Sequence, residues 1–247
     1  MSDAVNLMKT AWNNRAEKDA YHYIKTNLDQ KRFFEVGEER AQMLIDPVLS
    51  KFGIEKSSMV AVDIGCGLGR FTQVLGHRFS KAIGIDVSDH MIAQAKATMS
   101  GVPNLEFVVS DGVSFPQAEN SVDFVWSYEV FQHMPTNDVI KSNVQETARI
   151  LRPGGYGLLH FKSAYENPTV LGRISRLFPN SCVQAIKRLL GKNSLMDDQA
   201  WRGAKPLNKR AIQAMCEDAG LKIAEFRDDP THKAGTRTFA VVMLTSD

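Results

Sequence analysis

Between residues 59 and 161 the chain alternates short apolar runs with stretches of helical period. Met59-Val-Ala-Val-Asp-Ile64 reads as a buried strand, and Phe71, Val74, Leu75 and Phe79 then recur at helical spacing. Lys81–Asp86 is a second strand, followed by a helix that Ser88 and Asp89 can cap and that carries Met91, Ile92, Ala95 and Met99. Leu105–Val109, Val122–Trp126 and Tyr156–Phe161 read as the third, fourth and fifth strands. A helix from about Asp138 to Leu151 precedes the fifth, and Arg152-Pro-Gly-Gly155 stops it. Strands and helices alternating in this way imply a parallel sheet with right-handed crossovers.

Both ends break the alternation. Residues 1–56 read as helices, with Ala41, Leu44, Ile45, Val48, Leu49 and Phe52 on one face. Pro47 within that run predicts a kink or a split. Near the other end Asn208 can cap a helix carrying Ile212, Met215 and Ala219 that stops at Gly220. Leu221–Phe226 and Arg237–Leu244 follow as two strands, and the turn-rich link between them has no room for a helix, so they should be antiparallel. The expected organisation is an α/β domain over 57–247, an N-terminal helical cap over 1–56, and an inserted helical lid at about 165–205.

Composition narrows the class. With 43% hydrophobic and 23% charged residues the chain is not disordered. Cys66, Cys182 and Cys216 are an odd count with no close pair, which excludes a disulfide framework or a zinc site and predicts a reducing cytoplasmic setting. The first twenty residues have no apolar h-region, and runs such as Phe239–Leu244 are too short to span a bilayer.

The chemistry begins at the loop after the first strand. Gly65, Gly67 and Gly69 let the backbone approach a ligand at a helix N-terminus, where free N–H groups point outward. A dinucleotide fingerprint wants its third glycine where this chain has Arg70, so a pyrophosphate-bearing cofactor fits poorly. Asp86 ends the second strand, where a carboxylate can accept both hydroxyls of a ribose. Asp111 follows the third strand, within reach of an adenine edge, and Asp63 in the first strand can answer an ammonium group. Three acids beside a glycine loop suit a ligand with an amino group, a ribose and an adenine.

These segments resemble the class I S-adenosylmethionine-dependent methyltransferases, of the small-molecule type. Val62-Asp-Ile-Gly-Cys-Gly-Leu-Gly69 is similar to the family's first motif, Ile83-Gly-Ile-Asp-Val-Ser88 to the second, Ser110-Asp-Gly112 to the third, and Leu151-Arg-Pro-Gly-Gly155 to the turn before the fifth strand. The resemblance implies a Rossmann-like doubly wound sheet of seven strands in the order 3-2-1-4-5-7-6, with strand seven antiparallel. It implies S-adenosylmethionine as cofactor and S-adenosylhomocysteine as product. By the same resemblance Asp63, Gly65, Gly67 and Gly69 line the methionine moiety. Asp86 holds the ribose, with Val87 and Met91 beside the adenosine. Asp111 and Gly112 flank the adenine, and residues from Ser127 onward face the transferred methyl.

The resemblance also implies a methyl acceptor. A sulfonium is an activated leaving group, so alignment can carry much of the catalysis, while an oxygen or nitrogen acceptor can call on a base. His133, in Glu129-Val-Phe-Gln-His-Met134, is the first candidate, with His160 and Glu129 behind it. His22, between Tyr21 and Tyr23, belongs to the segment that folds over the cofactor in similar enzymes. Trp126-Ser-Tyr-Glu129 is not the pattern of enzymes that methylate a flipped adenine. Strands four and five hold no cysteine nucleophile, and the acid cluster of a magnesium-dependent enzyme is missing, so no metal and no DNA partner are expected.

Net charge is only +2, but it is unevenly spread. Residues 165–210 hold nine basic and three acidic residues, which makes that segment +6 and the remainder −4. A basic insertion after the fifth strand predicts an anionic acceptor: a small molecule or a glycan precursor methylated on O or N. Peripheral membrane contact through its amphipathic runs is a related expectation, as is a monomer or a homodimer joined through them. The alternatives left open are an RNA methyltransferase and a non-catalytic S-adenosylmethionine-binding protein.

Overall fold

The computed structural model describes residues 2–24, 29–54, 58–163 and 203–245. The central strands are β1 (Val60–Ile64), β2 (Lys81–Asp86), β3 (Leu105–Val109), β4 (Val122–Ser127), β5 (Leu151–Lys162), β6 (Leu221–Asp228) and β7 (Arg237–Leu244). They form one sheet in the order β3-β2-β1-β4-β5-β7-β6. β1 to β5 pair in parallel, and β7 lies antiparallel between β5 and β6.

Alternation along each strand builds two apolar layers. Val62, Val125, Leu159 and Val242 face one layer, against α6 (Asn137–Ile150) and α7 (Lys209–Asp218). Ala61, Phe124, Trp126, Leu158 and Val241 face the other, against α3 (Asp46–Lys51) and α4 (Arg70–Gly76). Both faces of the sheet are covered, so the central strands read as continuous apolar runs.

The N-terminal run divides as Pro47 predicts. α2 (Gln30–Leu44) ends at Ile45, and α3 restarts with Pro47 in its first turn, where a missing N–H costs nothing. Arg78 ties this pair to the sheet domain, donating to both carboxylate oxygens of Glu38 and of Asp46. α1 (Ser2–Ile24), broken at Asp19, lies against α5 (Asp89–Thr98). Asn13 fixes that contact: its amide donates to Asp89 at 2.9 Å and accepts from Ser88 Oγ at 2.6 Å.

One detail differs from the sequence reading. β5 begins at Leu151, not Tyr156, because Leu151 already pairs with Val122. Between that pair and Phe124–Tyr156, β4 advances two residues and β5 five, so Arg152–Gly155 form a bulge within the strand. The expected lid at 165–205 lies almost wholly outside the described residues, as does the His22 side chain.

Candidate active site

The ends of β1, β2 and β4 meet at a cavity of about 320 Å³, of the size that small ligands occupy. Its floor is the loop after β1. Gly65 and Gly67, with φ of +69° and +53°, line it. A Cβ at Gly65 would fall 2.4 Å from Val130, so glycine is required there by space as well as by backbone conformation. Gly69 has another task. It precedes α4 with φ +81°, and a Cβ on it would strike Phe107 and Met99, on the packed side of the helix rather than the cavity.

Asp86 reaches the cavity from the end of β2. One of its oxygens accepts from Gly67 N and the other from Ser88 N, both at 2.9 Å. Val87 N–H also bonds to this carboxylate, which can accept about four hydrogen bonds in all and so keeps a position for a ligand hydroxyl. Asp63, 3% exposed, accepts from Thr72 Oγ1 at 2.7 Å. Burial pushes its pKa up to about 7 against the pull of that hydrogen bond. Val87, Met91 and Gly112 also line the cavity.

Asp111 and Ser127 depart from expectation. Asp111 is exposed and does not line the cavity. It accepts from Val113 N, Ser114 N and Ser114 Oγ, so it closes a turn. The wall at that point is Ser110 and Gly112, the latter held by Asn143 Nδ2 donating to its carbonyl at 2.9 Å. Ser127 is fully buried in β4, paired with Ile64, and stands behind the wall.

Of the three candidate bases, Glu129 and His133 line the cavity and His160 does not. His133 meets Trp12 edge to face at 5.6 Å. Gln132 Nε2 lies 3.2 Å from its Nε2 and also donates to the Glu129 carbonyl, so the His133 ring accepts from it and keeps its proton on Nδ1. Burial lowers His133 to about 4, which leaves it neutral near pH 7.

Glu129 adopts φ +59°, a conformation that non-glycine residues rarely hold outside functional sites. Its Oε1 lies 3.2 Å from His232 Nε2 and its Oε2 3.6 Å from Arg40 Nη1. Burial opposes its charge, but the His232 hydrogen bond and Arg40 outweigh burial and hold it at about 2. An anion so compensated is a poor proton acceptor at neutral pH.

His160 is drawn away from the cavity. Its Nδ1 accepts the Glu129 N–H at 3.2 Å, so its proton sits on Nε2, 3.3 Å from Asp229. Asp229 is also approached by Tyr128 Oη at 3.2 Å and His232 Nδ1 at 2.8 Å. His160, Asp229 and His232 bring ligand-type atoms within 4.8 Å of one another. The proton on His160 Nε2 and the donors around Asp229 make this a hydrogen-bond network that braces Glu129.

The rest of the wall escaped the sequence reading. Met8 and Trp12 come from α1, Phe33 from α2, Arg70 from α4, and Phe115 from a later loop. Trp12 falls outside any strand-end motif, and only the packing of α1 on α5 brings it here.

Residues 62–159 match the family model described as "Methyltransferase domain". That span covers β1 to β5 and so every strand end around the cavity. Over these residues, about two fifths of the chain, it is similar to that domain family. It is 33% identical over 129 residues to the chloroplastic tocopherol O-methyltransferase of Arabidopsis thaliana, covering 48% of this chain and 36% of that one. It is 27% identical over 143 residues to the trans-aconitate 2-methyltransferase of Azoarcus sp. (strain BH72), covering 57% and 53%. The matches thus span between about a third and a half of these relatives' own length. Among solved structures, magnesium protoporphyrin IX methyltransferase from Synechocystis PCC 6803 with bound S-adenosylhomocysteine shares the fold. Its TM-score is 0.66 at 16% identity, over 98% of this chain and all of that one.

Similarity to methyltransferase domains calls for a site for an adenosyl group, and the residues fit. Asp86 keeps an acceptor position, the glycine loop leaves backbone space, and Asp63 is a buried carboxylate on the same wall. Among the described residues no helix is long and apolar enough to cross a membrane.

Proposed function

We propose that this protein transfers a methyl group from S-adenosylmethionine to an oxygen or nitrogen of a small-molecule acceptor. When bound, S-adenosylmethionine supplies a methyl group activated by its sulfonium. The residues do the rest. Asp86 holds the ribose hydroxyls, Gly65 and Gly67 admit the ligand's backbone-facing side, and Met8 and Trp12 of α1 close over it. His133, neutral and on the wall, gives up the Gln132 hydrogen bond at its Nε2 and takes there the acceptor's proton, which the new bond makes strongly acidic. Glu129 stays charged and fixed by His232 and Arg40, and so orders the β4 end of the cavity.

The observation that carries this reading is the Asp86 carboxylate, positioned by Gly67 N–H at the foot of a cavity floored by glycines. The relatives, named for tocopherol and trans-aconitate, support a small-molecule acceptor. The +6 charge of residues 165–210 supports an anionic one. The described N-terminal helices act as a cap, through Met8, Trp12 and Phe33. The buried free thiols Cys66 and Cys216 suit a reducing cytoplasm.

Calorimetric titration with S-adenosylhomocysteine tests the cofactor. The wild type should bind, and Asp86→Ala should weaken binding at least tenfold. No binding to folded wild-type protein would overturn the reading. His133→Ala should lower turnover and leave S-adenosylhomocysteine affinity within about twofold, and unchanged turnover removes His133 as the proton acceptor.

A further inference from the structure

Each polar part of Glu129 is held from a different segment. Its N–H donates to His160 Nδ1 at 3.2 Å, and its carbonyl accepts from Gln132 Nε2 at 3.4 Å. Its carboxylate stands 3.2 Å from His232 Nε2 and 3.6 Å from Arg40 Nη1. These contacts hold a residue at φ +59°, which persists in an L side chain only where the surroundings impose it. His160 and His232 in turn share Asp229, whose side chain is fully buried.

His232 lies in the loop between β6 and β7 with an acid on each ring nitrogen. Nδ1 is 2.8 Å from Asp229 Oδ2, and Nε2 is 3.2 Å from Glu129 Oε1. A neutral imidazole has one N–H and would turn a lone pair on one of these carboxylates, whereas the imidazolium donates to both. The hydrogen bond to Glu129 raises His232 above its ordinary value, burial opposes the rise, and Asp229 adds to it. The other groups nearby leave that charge in place. His160, 5.9 Å away ring to ring, is kept neutral by burial. Tyr128 Oη bonds to Asp229, and Arg40 and Arg237 act on the two acids.

The Glu129 carbonyl fixes the Gln132 amide. One amide hydrogen goes to that carbonyl, and Gln132 Nε2 also lies 3.2 Å from His133 Nε2. Turned over, the amide would set its oxygen against the Glu129 oxygen. The backbone of Glu129 thus decides which His133 nitrogen carries the proton. The same carbonyl keeps Gln132 in place when His133 releases it. We propose that His232 is a positioning residue: its imidazolium, clasped between Asp229 and Glu129, fixes the 129–133 turn and so keeps His133 Nε2 free of its own proton. This role rests on the proton-accepting part given to His133 above, and deepens it. The clasp is complete at neutral pH. As the pH rises through the His232 midpoint the ring loses one N–H, and His133 loses its single tautomer.

Nitrogen-15 spectroscopy of the histidine rings tests this on the full chain without a ligand, because it reads the tautomer and the midpoint of each ring. In the wild type His232 should titrate above about 6.5 and carry both protons at pH 7. His133 should show one tautomer, protonated on Nδ1, that becomes mixed as His232 titrates. His232→Leu should show the mixed His133 pattern throughout the neutral range. His232→Gln, whose amide donates at any pH, should restore the single tautomer and abolish its alkaline change. Amide spectra of the same samples show that the variants are folded.

A His232 midpoint at or below about 6.5 overturns the proposal. So do His133 lines that ignore the His232 titration, or a single His133 tautomer retained in His232→Leu. The first two are read on wild-type protein, so a variant that fails to fold does not shield the proposal. Wild-type protein that shows the coupling but binds no S-adenosylhomocysteine supports the clasp and removes the cofactor reading alone.

Discussion

Thr72 Oγ1 donates to Asp63 Oδ2 across 2.7 Å, joining the first turn of α4 to β1 beneath the cavity. That bond only partly offsets the burial of Asp63, whose pKa stands at about 7. A ligand ammonium needs the ionised form. S-adenosylhomocysteine affinity should therefore fall by about tenfold as the pH drops from 8 to 6, because the ligand must first drive a proton off Asp63. Asp63→Asn should flatten that dependence at the weaker level. Thr72→Val should move its midpoint to higher pH. Calorimetry across pH, in buffers of differing ionisation enthalpy, reports both affinity and proton release.

Gly65 should tolerate no side chain. Gly65→Ala must place a Cβ against Val130 in a left-handed backbone, at a cost of about 1–3 kcal/mol, and should abolish S-adenosylhomocysteine binding. Adding Val130→Ala should return part of the stability and little of the binding. Chemical denaturation and calorimetry on the single and double variants separate the two effects.

His133 makes the fold sensitive to mild acid. The native state keeps it neutral down to about pH 4, whereas the unfolded chain protonates it near pH 6.5. The unfolded state therefore binds more protons in that window, and stability falls as the pH drops from 6.5 to 4. The loss should reach roughly 3 kcal/mol at pH 4. Thermal unfolding against pH should show a shallower acid limb in His133→Phe.

Arg78 holds α2 and α3 on the sheet domain through Glu38 and Asp46. Arg78 is largely buried but both acids are about a third exposed, so Arg78→Met should cost only about 1–3 kcal/mol. Hydrogen exchange should rise most between Leu44 and Leu49. The cavity should weaken as well, since α2 supplies Phe33.

Much of the fold was legible because the strands are buried on both faces. Runs such as Val60–Ile64 and Val122–Trp126 have no reason to be so apolar except as central parallel strands. The split at Pro47 and the Asn208 cap were legible because each acts within one turn of chain. The bulge in β5 was not. Arg152-Pro-Gly-Gly155 has the composition of a turn, and only pairing of Leu151 with Val122 makes it part of a strand.

The sequence by itself determined the floor of the site. Glycine spacing and an acid at the end of β2 are local features, and local backbone geometry carries Gly65, Gly67 and Asp86 to the cavity wherever the rest of the chain goes. What the tertiary structure decided is which side chains beyond that loop share the space. It turned Asp111 into a turn cap, took His160 into a network with Asp229, and left His133 facing the cavity. It also brought Phe33 from α2 over Arg70 of α4. The physical reason is that orientation at a strand end depends on which hydrogen-bond partner or ring stands opposite. Those partners come from segments tens of residues away, and no local pattern encodes them.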